Sequence, residues 1–418
     1  MNYELTGSTI SYVRQHADDD VRLLALRGCK DPAVDLTMAL QQIQGRQMAR
    51  SKLPTWAAID AIVYPPHINM EQCSSEQTAR YTAALCRRLL SILPSVVPSL
   101  PYVAALPQPI TPSLLDLTGG LGVDFAFMQE SFAAATYVER DPQLFAIAKQ
   151  NFRTLSLSVD TVNTDGTAFL TTQNHVTLTF LDPARRDANG QRTYGIADCT
   201  PDVLTLLPLL LEKSTYVLLK LSPMLDWRKA VSDLGEQNVR EVHIVSVQNE
   251  CKELLILLSS KAPSTAPTLH CVNDDSIFTL DLPVSSPFIP PTSSLLPHPS
   301  SFLLEPNASI MKAGCFAALA QRYHIEQLSH DSHLFISSHS IDSFPGRQFQ
   351  IIAVSSMNKH DLKIALQGLT HANITTRNFP LSAPTLRQRL KLADGGNTYI
   401  FATTTADGSH ILLVCKKI

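Results

Sequence analysis

No two of the eight cysteines (Cys29, Cys73, Cys86, Cys199, Cys251, Cys271, Cys315 and Cys415) lie within four residues of one another. No zinc-type C-x-x-C pair exists, no metal site is expected, and thiols so scattered fit a reducing compartment better than a disulfide framework. No run of about 18 apolar residues occurs, so no membrane span is expected. The opening MNYELTGSTISYVRQ lacks a basic segment followed by an apolar run. It does not read as a secretory signal, and the expected location is cytoplasmic. An excess of one charge is missing too: 34 Lys+Arg against 37 Asp+Glu give a net charge of -3. That excludes a wholly basic nucleic-acid binder but leaves room for a local basic patch. No internal repeat is evident. What is present, 44% hydrophobic and 17% charged residues over 418 positions, suits a folded protein of two to four domains.

Residues 1–100 read as a helical domain, because DPAVDLTMALQQIQGRQMARSKL and SSEQTARYTAALCRRLLSIL repeat apolar residues at three- and four-residue steps. Ser74, with Gln77 three residues on, is read as a capping box opening the second helix. A proline-rich stretch leads into a second domain, 101–262, where strands and helices alternate: SLLDL, ATYVE, VDTVN, TLTFLD and TYVLLKL read as buried strands. VHIVSV and ELLILLS follow as an antiparallel pair. The pattern predicts an α/β fold with a doubly wound, mostly parallel sheet. Residues 263–304, rich in Pro and Ser, read as a linker or loop-rich lead-in, and 305–418 as a further small α/β domain.

The informative segment is Asp116-Leu-Thr118-Gly-Gly120-Leu-Gly122-Val-Asp124, at a strand end and before a helix. Glycines there allow close backbone approach to a ligand. A dinucleotide site wants G-x-G-x-x-G, but Phe125 stands where the third glycine belongs. Asp116 would also repel a pyrophosphate. It suits a cationic ligand without phosphate, such as S-adenosylmethionine (SAM), with Asp116 at the amino-acid end. Glu139, ending the second strand, is placed for ribose hydroxyls and Asp165, after the third, for the adenine amino group. The bland alternative is a turn that only makes a tight connection.

DLTGGLGVD, YVERD, NTDG and TFLDPARRD, in this order and spacing over residues 100–262, resemble class I SAM-dependent methyltransferases. The resemblance implies a Rossmann-like seven-stranded sheet whose last two strands are the antiparallel pair. It places SAM on Asp116, Thr118, Gly120, Gly122, Asp124, Glu139 and Asp165. The DxTGGLGxD and ERD pair is similar to bacterial RNA guanine-N2 methyltransferases. Asp182-Pro183-Ala184-Arg185 stands where enzymes acting on exocyclic amines carry Asp/Asn-Pro-Pro-aromatic. There the carboxylate and a carbonyl accept the amine's N–H bonds and localise its lone pair. Asp182, Pro183 and Arg185 are therefore the catalytic candidates. A guanidinium in the aromatic position can still stack on a base, and Tyr194 offers another aromatic face. Arg186, Tyr194, Lys220 and Arg377 are candidate substrate contacts. For Arg185 and Arg186 a solvated salt-bridge cluster, and for Lys220 a structural ion pair, are the competing readings. Cys199, seventeen residues past Asp182, reads as structural rather than as a nucleophile.

From Pro345 onward, nine Lys/Arg face three Asp, a local balance of +6 in an acidic chain. Glu305-Pro-Asn-Ala-Ser-Ile-Met-Lys-Ala-Gly314, Phe344-Pro-Gly-Arg347, Thr376-Arg-Asn-Phe-Pro380 and Leu392-Ala-Asp-Gly-Gly396 resemble the THUMP-like C-terminal domain joined to bacterial class I methyltransferases. That resemblance implies RNA binding. The expectation is a methyltransferase of a base amino group in rRNA or tRNA, with no membrane partner. A methyltransferase of a protein or small molecule, and a non-catalytic RNA-binding module, are the alternatives. RNA affinity that falls steeply with salt would favour the first.

Overall fold

The computed structural model describes residues 5–92, 111–184, 195–261, 266–282 and 297–418. They form two compact units, Met1–Arg240 with Leu254–Ser264, and Glu241–Glu253 with Thr265–Ile418. The strands of the larger sheet are β1 (Ser113–Asp116), β2 (Ala134–Glu139), β3 (Asp160–Asn163), β4 (Val176–Leu181), β5 (Ser214–Leu221), β6 (Val239–Val247), β7 (Glu250–Leu258), β8 (Thr268–Asn273) and β9 (Ser276–Asp281). Their order is β3-β2-β1-β4-β5-β7-β6-β8-β9.

In the first unit β1 to β5 are parallel, and Leu254–Leu258 of β7 runs antiparallel to β5. Strand order reverses direction at β1 and β4, so a crevice opens at their carboxyl ends, where ligands of open α/β sheets lodge. The edge strand β3 is polar, while β1, β2, β4 and β5 are largely apolar and buried because helices cover both faces. These are α7 (Val123–Met128), α8 (Pro142–Thr154), α9 (Gly166–Thr172), α10 (Val203–Lys213) and α11 (Trp227–Leu234). Asp141, Asp165, Asp202 and Asp226 each cap the helix that follows with a side-chain oxygen on two backbone N–H groups.

The same unit begins with six helices: α1 (Gly7–Gln15), α2 (Val21–Arg27), α3 (Leu36–Lys52), α4 (Pro54–Ala57), α5 (His67–Gln72) and α6 (Glu76–Ser91). Val13, Leu24, Ala39 and Ile43 form their own small core. Buried Asn151 of α8 ties them to the sheet, taking the Val63 N–H at 2.8 Å and donating to the Val63 carbonyl at 2.9 Å. The cap of α6 differs from expectation: Ser75, not Ser74, accepts the Thr78 N–H. Ser74 lies one residue too early and turns its hydroxyl elsewhere.

In the second unit β6 and β7 are joined by Gln248 and Asn249, both at positive φ (51° and 62°), a two-residue hairpin turn of the kind the strand twist favours. β8 runs parallel to β6, and β9 pairs antiparallel with β8. These two strands lie within the segment read as a linker or lead-in. A second sheet has the order β11-β12-β10-β13-β16-β15-β14. Its strands are β10 (Phe302–Pro306), β11 (Glu326–Gln327), β12 (Phe335–Ser337), β13 (Gly346–Ser356), β14 (Asn373–Arg377), β15 (Thr398–Thr404) and β16 (His410–Lys417). Between Ile351 and Ala353 the register of β13 shifts, and such bulges bend a strand. The sheet curls accordingly: Leu303 and Ile336 from one half share a core with Phe401 and Leu413 from the other. Ser329 donates to the Thr404 carbonyl at 2.8 Å across the curl. Helices α12 (Ala308–Ala313), α13 (Phe316–Tyr323), α14 (Lys359–Ala365) and α15 (Ala383–Leu390) complete this unit.

Candidate functional site

β1 ends on Asp116, whose buried carboxylate accepts the Thr118 N–H at 3.0 Å. Burial pushes its pKa well above the ordinary 3.8, and the charges of Asp124, Asp182 and Glu139 push the same way. The glycine turn then folds back on β2. The Gly119 N–H reaches the Val138 carbonyl at 2.9 Å, and the Gly120 N–H reaches Glu139 Oε2 at 2.8 Å. Glu139 Oε1 accepts the Asp141 N–H at 2.7 Å. Each carboxylate oxygen thus fixes one loop amide and keeps a second lone-pair direction. Gly122 opens α7 at φ +79°, and a Cβ there would stand 2.5 Å from the Phe152 ring. Thr118 links the turn to β4, its hydroxyl accepting the Asp182 N–H at 2.7 Å. Asp165 accepts from the Thr167 hydroxyl and from the Ala168 and Thr167 amides, which hold its pKa below the usual carboxylate range.

A cavity of about 460 Å³ opens among these groups, lined by Leu117, Thr118, Glu139, Arg140, Asp165, Gly166, Thr167, Asp182, Ala184, Thr200, Pro201, Asp202, Thr205 and Leu206. Four expected site residues, Thr118, Glu139, Asp165 and Asp182, converge on it. Asp116, Gly120, Gly122, Asp124 and Pro183 are not among its lining residues, although the first three shape the turn beside it. The volume is that of a small-molecule site. The lining is rich in acceptors, with Arg140 as its one fully cationic residue, which suits a ligand that donates from hydroxyls and amines, a nucleoside such as SAM.

Beneath Asp182 lies a network whose reach into the helical segment sequence reasoning missed. Lys220 Nζ, on β5, donates to Ser74 Oγ at 2.5 Å and approaches Asp124 Oδ2 at 2.8 Å and Asp182 Oδ2 at 2.9 Å. Ser74 also donates to Asp124 Oδ2. Lys220 and Asp124 are buried, while the Asp182 side chain is 39% exposed. Asp182 thus has one oxygen on the ammonium and the other without a partner among the described residues. Asp124, expected with the cofactor, is held by Lys220 and Ser74. Lys220 itself is enclosed as an ion pair. The only sequence signal for Ser74 was its place before a helix, which reads equally well as a cap.

Arg185, Arg186 and Tyr194 lie outside the described residues. Arg377 belongs to the second unit, where it pairs with Glu305. That unit also brings ligand atoms of Glu241, His243 and His270 within 4.8 Å of one another. The two imidazoles stack at 4.4 Å with planes 6° apart. In-plane lone pairs of parallel rings cannot meet on one ion, and the nitrogens lie against Glu241, Thr268 and Thr279 instead. The trio reads as a cross-strand polar ladder.

Comparison with known proteins bears on the whole chain. A family model described as THUMP domain-like matches residues 346–417, and one described as a ferredoxin-like domain matches 302–345. No curated protein matches. Among solved structures, a protein of Porphyromonas gingivalis W83 assigned as a methyltransferase is 30% identical, with TM-score 0.80 over 98% of this chain and 97% of that one. A SAM-dependent methyltransferase of Agrobacterium tumefaciens is 14% identical, with TM-score 0.32 over 45% and 63% of the two chains. A protein of Pyrococcus horikoshii assigned as an RNA methyltransferase is 15% identical, with TM-score 0.33 over 49% and 96%. Taken with the strand order and the acid-lined crevice, the full-length likeness to the Porphyromonas gingivalis protein shows that this chain belongs to its family, the class I SAM-dependent methyltransferases with a THUMP-like C-terminal domain.

Proposed function

We propose that this SAM-dependent methyltransferase modifies an exocyclic amino group of a base in RNA, ribosomal or transfer. One observation carries the reading. Asp182 lines the same cavity as Thr118, Glu139 and Asp165, with Oδ2 tethered to Lys220 and Oδ1 left to accept. Glu139 and Asp165 would hold the ribose and adenine of SAM. Asp116, Thr118, Gly120 and Gly122 would hold its amino-acid end, with Asp124 behind the turn. The cofactor supplies a methyl group on a positively charged sulfur.

The protein's part is positional. A conjugated amine has its lone pair drawn into the ring. Asp182 Oδ1 and the Pro183 carbonyl, accepting its two N–H bonds, would draw that pair out of conjugation, localise it on nitrogen and hold it still. Arg185 and Arg186, just past Pro183 in the chain, and Tyr194, further along the same segment, would stack on or grip the substrate. The basic balance of the C-terminal segment and its THUMP-like match support RNA as the carrier of the base.

Asp182→Ala should abolish transfer while calorimetry finds SAM affinity near normal; surviving catalysis would overturn the assigned role. Mass spectrometry of nucleosides in total RNA from a deletion strain and its parent should show one methylated base lost. Identical profiles would remove RNA as the substrate.

A further inference from the structure

The second unit carries a charged cluster that methyl transfer leaves unused. Glu305, on β10, is 3% exposed. Its cross-strand neighbour Arg347 donates through Nε to Oε2 at 2.8 Å and through Nη2 to the same oxygen. Arg377, at the end of β14, donates Nη2 to Oε1 at 2.9 Å. β10 and β14 are four places apart in the sheet, and the curl is what brings them together. Gly346 lets β13 lie close against β10, since a Cβ there would stand 2.1 Å from the Glu305 carbonyl oxygen.

Charge and donor counts point outward. One carboxylate needs one cation, and here two guanidiniums share it, leaving a local excess of +1. A guanidinium has five N–H donors. Arg347 spends two on Glu305 and Arg377 spends one, and the others meet no acceptor among the described residues. The side chains are 40% and 36% exposed. His333 adds a buried Nδ1 without a partner among the described residues. Arg377 acts electrostatically on that ring, and so do the exposed Asp331 and His330, which pair with each other. Two guanidiniums fixed by a buried carboxylate, with forks left over, make a preorganised receptor for a tetrahedral oxyanion.

We propose that Arg347 and Arg377, locked by Glu305, clamp a backbone phosphate of the RNA substrate. The inference rests on the RNA reading above and assigns it a contact. The test uses the full-length protein and a labelled single-stranded RNA, with affinity measured across salt concentrations. Arg347→Gln and Arg377→Gln should each weaken binding roughly tenfold at moderate salt. Each should also lower the slope of log affinity against log salt by about 0.7. Arg377→Lys keeps the charge and the tie to Glu305, so it should keep the slope while losing affinity; it also serves if the Gln variants fail to fold. Wild-type affinity and slope in all three folded variants would overturn the clamp while leaving the methyltransferase reading intact. A second arm replaces chloride with inorganic phosphate at constant ionic strength. Phosphate should compete with RNA on the wild type. Raised melting temperature without competition would mean a free-phosphate site and overturn the RNA assignment. No RNA binding by the wild type at any salt would instead sink the RNA reading itself.

Discussion

Each unit holds a buried charge among partners of the opposite sign, but the signs are reversed. In the first, the Lys220 ammonium sits among Asp124, Asp182 and Ser74. In the second, the Glu305 carboxylate sits between Arg347 and Arg377. A buried charge is tolerable only when paired and hydrogen-bonded, and both clusters meet that condition with an extra partner. The extra partner decides what the surface is left with. Around Lys220 the surplus is a carboxylate oxygen of Asp182 beside a cavity, an acceptor for N–H groups. Around Glu305 the surplus is guanidinium N–H, a donor set for anions. A single electrostatic device, inverted, thus leaves acceptors over in one unit and donors in the other, which is what the proposed amine and phosphate contacts each require.

Removing the central charge breaks the comparison most severely on the lysine side. Lys220→Ala leaves Asp124 and Asp182 facing each other around an empty centre, with Asp124 Oδ1 already lacking a partner among the described residues. Loss of one member of a buried pair costs about 3–5 kcal/mol. Urea denaturation should show a fall of that order, and methyl transfer should vanish because Asp182 loses its tether. A stability change below about 1 kcal/mol would mean the ammonium is not enclosed as described.

Backbone substitutions come next. Gly122→Ala meets the Phe152 ring and a φ of +79° that side chains avoid. Gly346→Ala meets the Glu305 carbonyl at 2.1 Å. Each should cost about 2–3 kcal/mol in thermal or chemical unfolding. The first should weaken SAM binding and spare RNA binding, and the second should do the reverse. Both losses following either substitution would erase the distinction between the two clusters.

Asp116 gives a smaller, pH-dependent effect. Its folded pKa is raised, chiefly by burial, so the folded state holds a proton that the unfolded state releases. Its stabilising contribution is complete below the unfolded value near 3.8 and is lost as pH rises through the folded value. Asp116→Asn should flatten that part of the stability–pH curve, measured by melting temperature from acid to neutral pH. If Asp116 meets the cationic end of SAM, binding must ionise it. Affinity should then rise with pH, and calorimetry in buffers of different ionisation enthalpy should detect proton release. An unchanged curve in the variant would show that Asp116 carries no such load.

These contrasts also mark where the sequence was readable. Long-period signals survived: β1, β2, β4 and β5 are largely apolar and buried, and the acids at the strand ends sit where such folds place ligands. Thr118, Glu139, Asp165 and Asp182 were legible because each stands next to a strand end or a glycine. The β8 and β9 hairpin was not, because residues such as His270, Asn273, Asp274 and Asp275 interrupt its apolar pattern and prolines crowd its flanks. Ser74 was misread because capping preference is local, while its partners Asp124 and Lys220 lie 50 and 146 residues away. Arg377 was legible as a basic residue, but its partner Glu305 depends on the curl of a sheet that no local pattern encodes.

The smallest effect tests whether burial, rather than pairing itself, separates these clusters from ordinary ion pairs. Lys229 and Asp233 on α11 stand 3.0 Å apart, with the lysine side chain 68% exposed. Their spacing and distance match those of good helix-surface pairs, yet water screens both groups and long side chains lose freedom to meet. Lys229→Ala should change stability by only about 0.3 kcal/mol, a shift that added salt should reduce further. If it cost as much as Lys220→Ala, proximity alone would set the energy. Desolvation would then not be what gives Lys220 and Glu305 their hold on Asp182, Arg347 and Arg377.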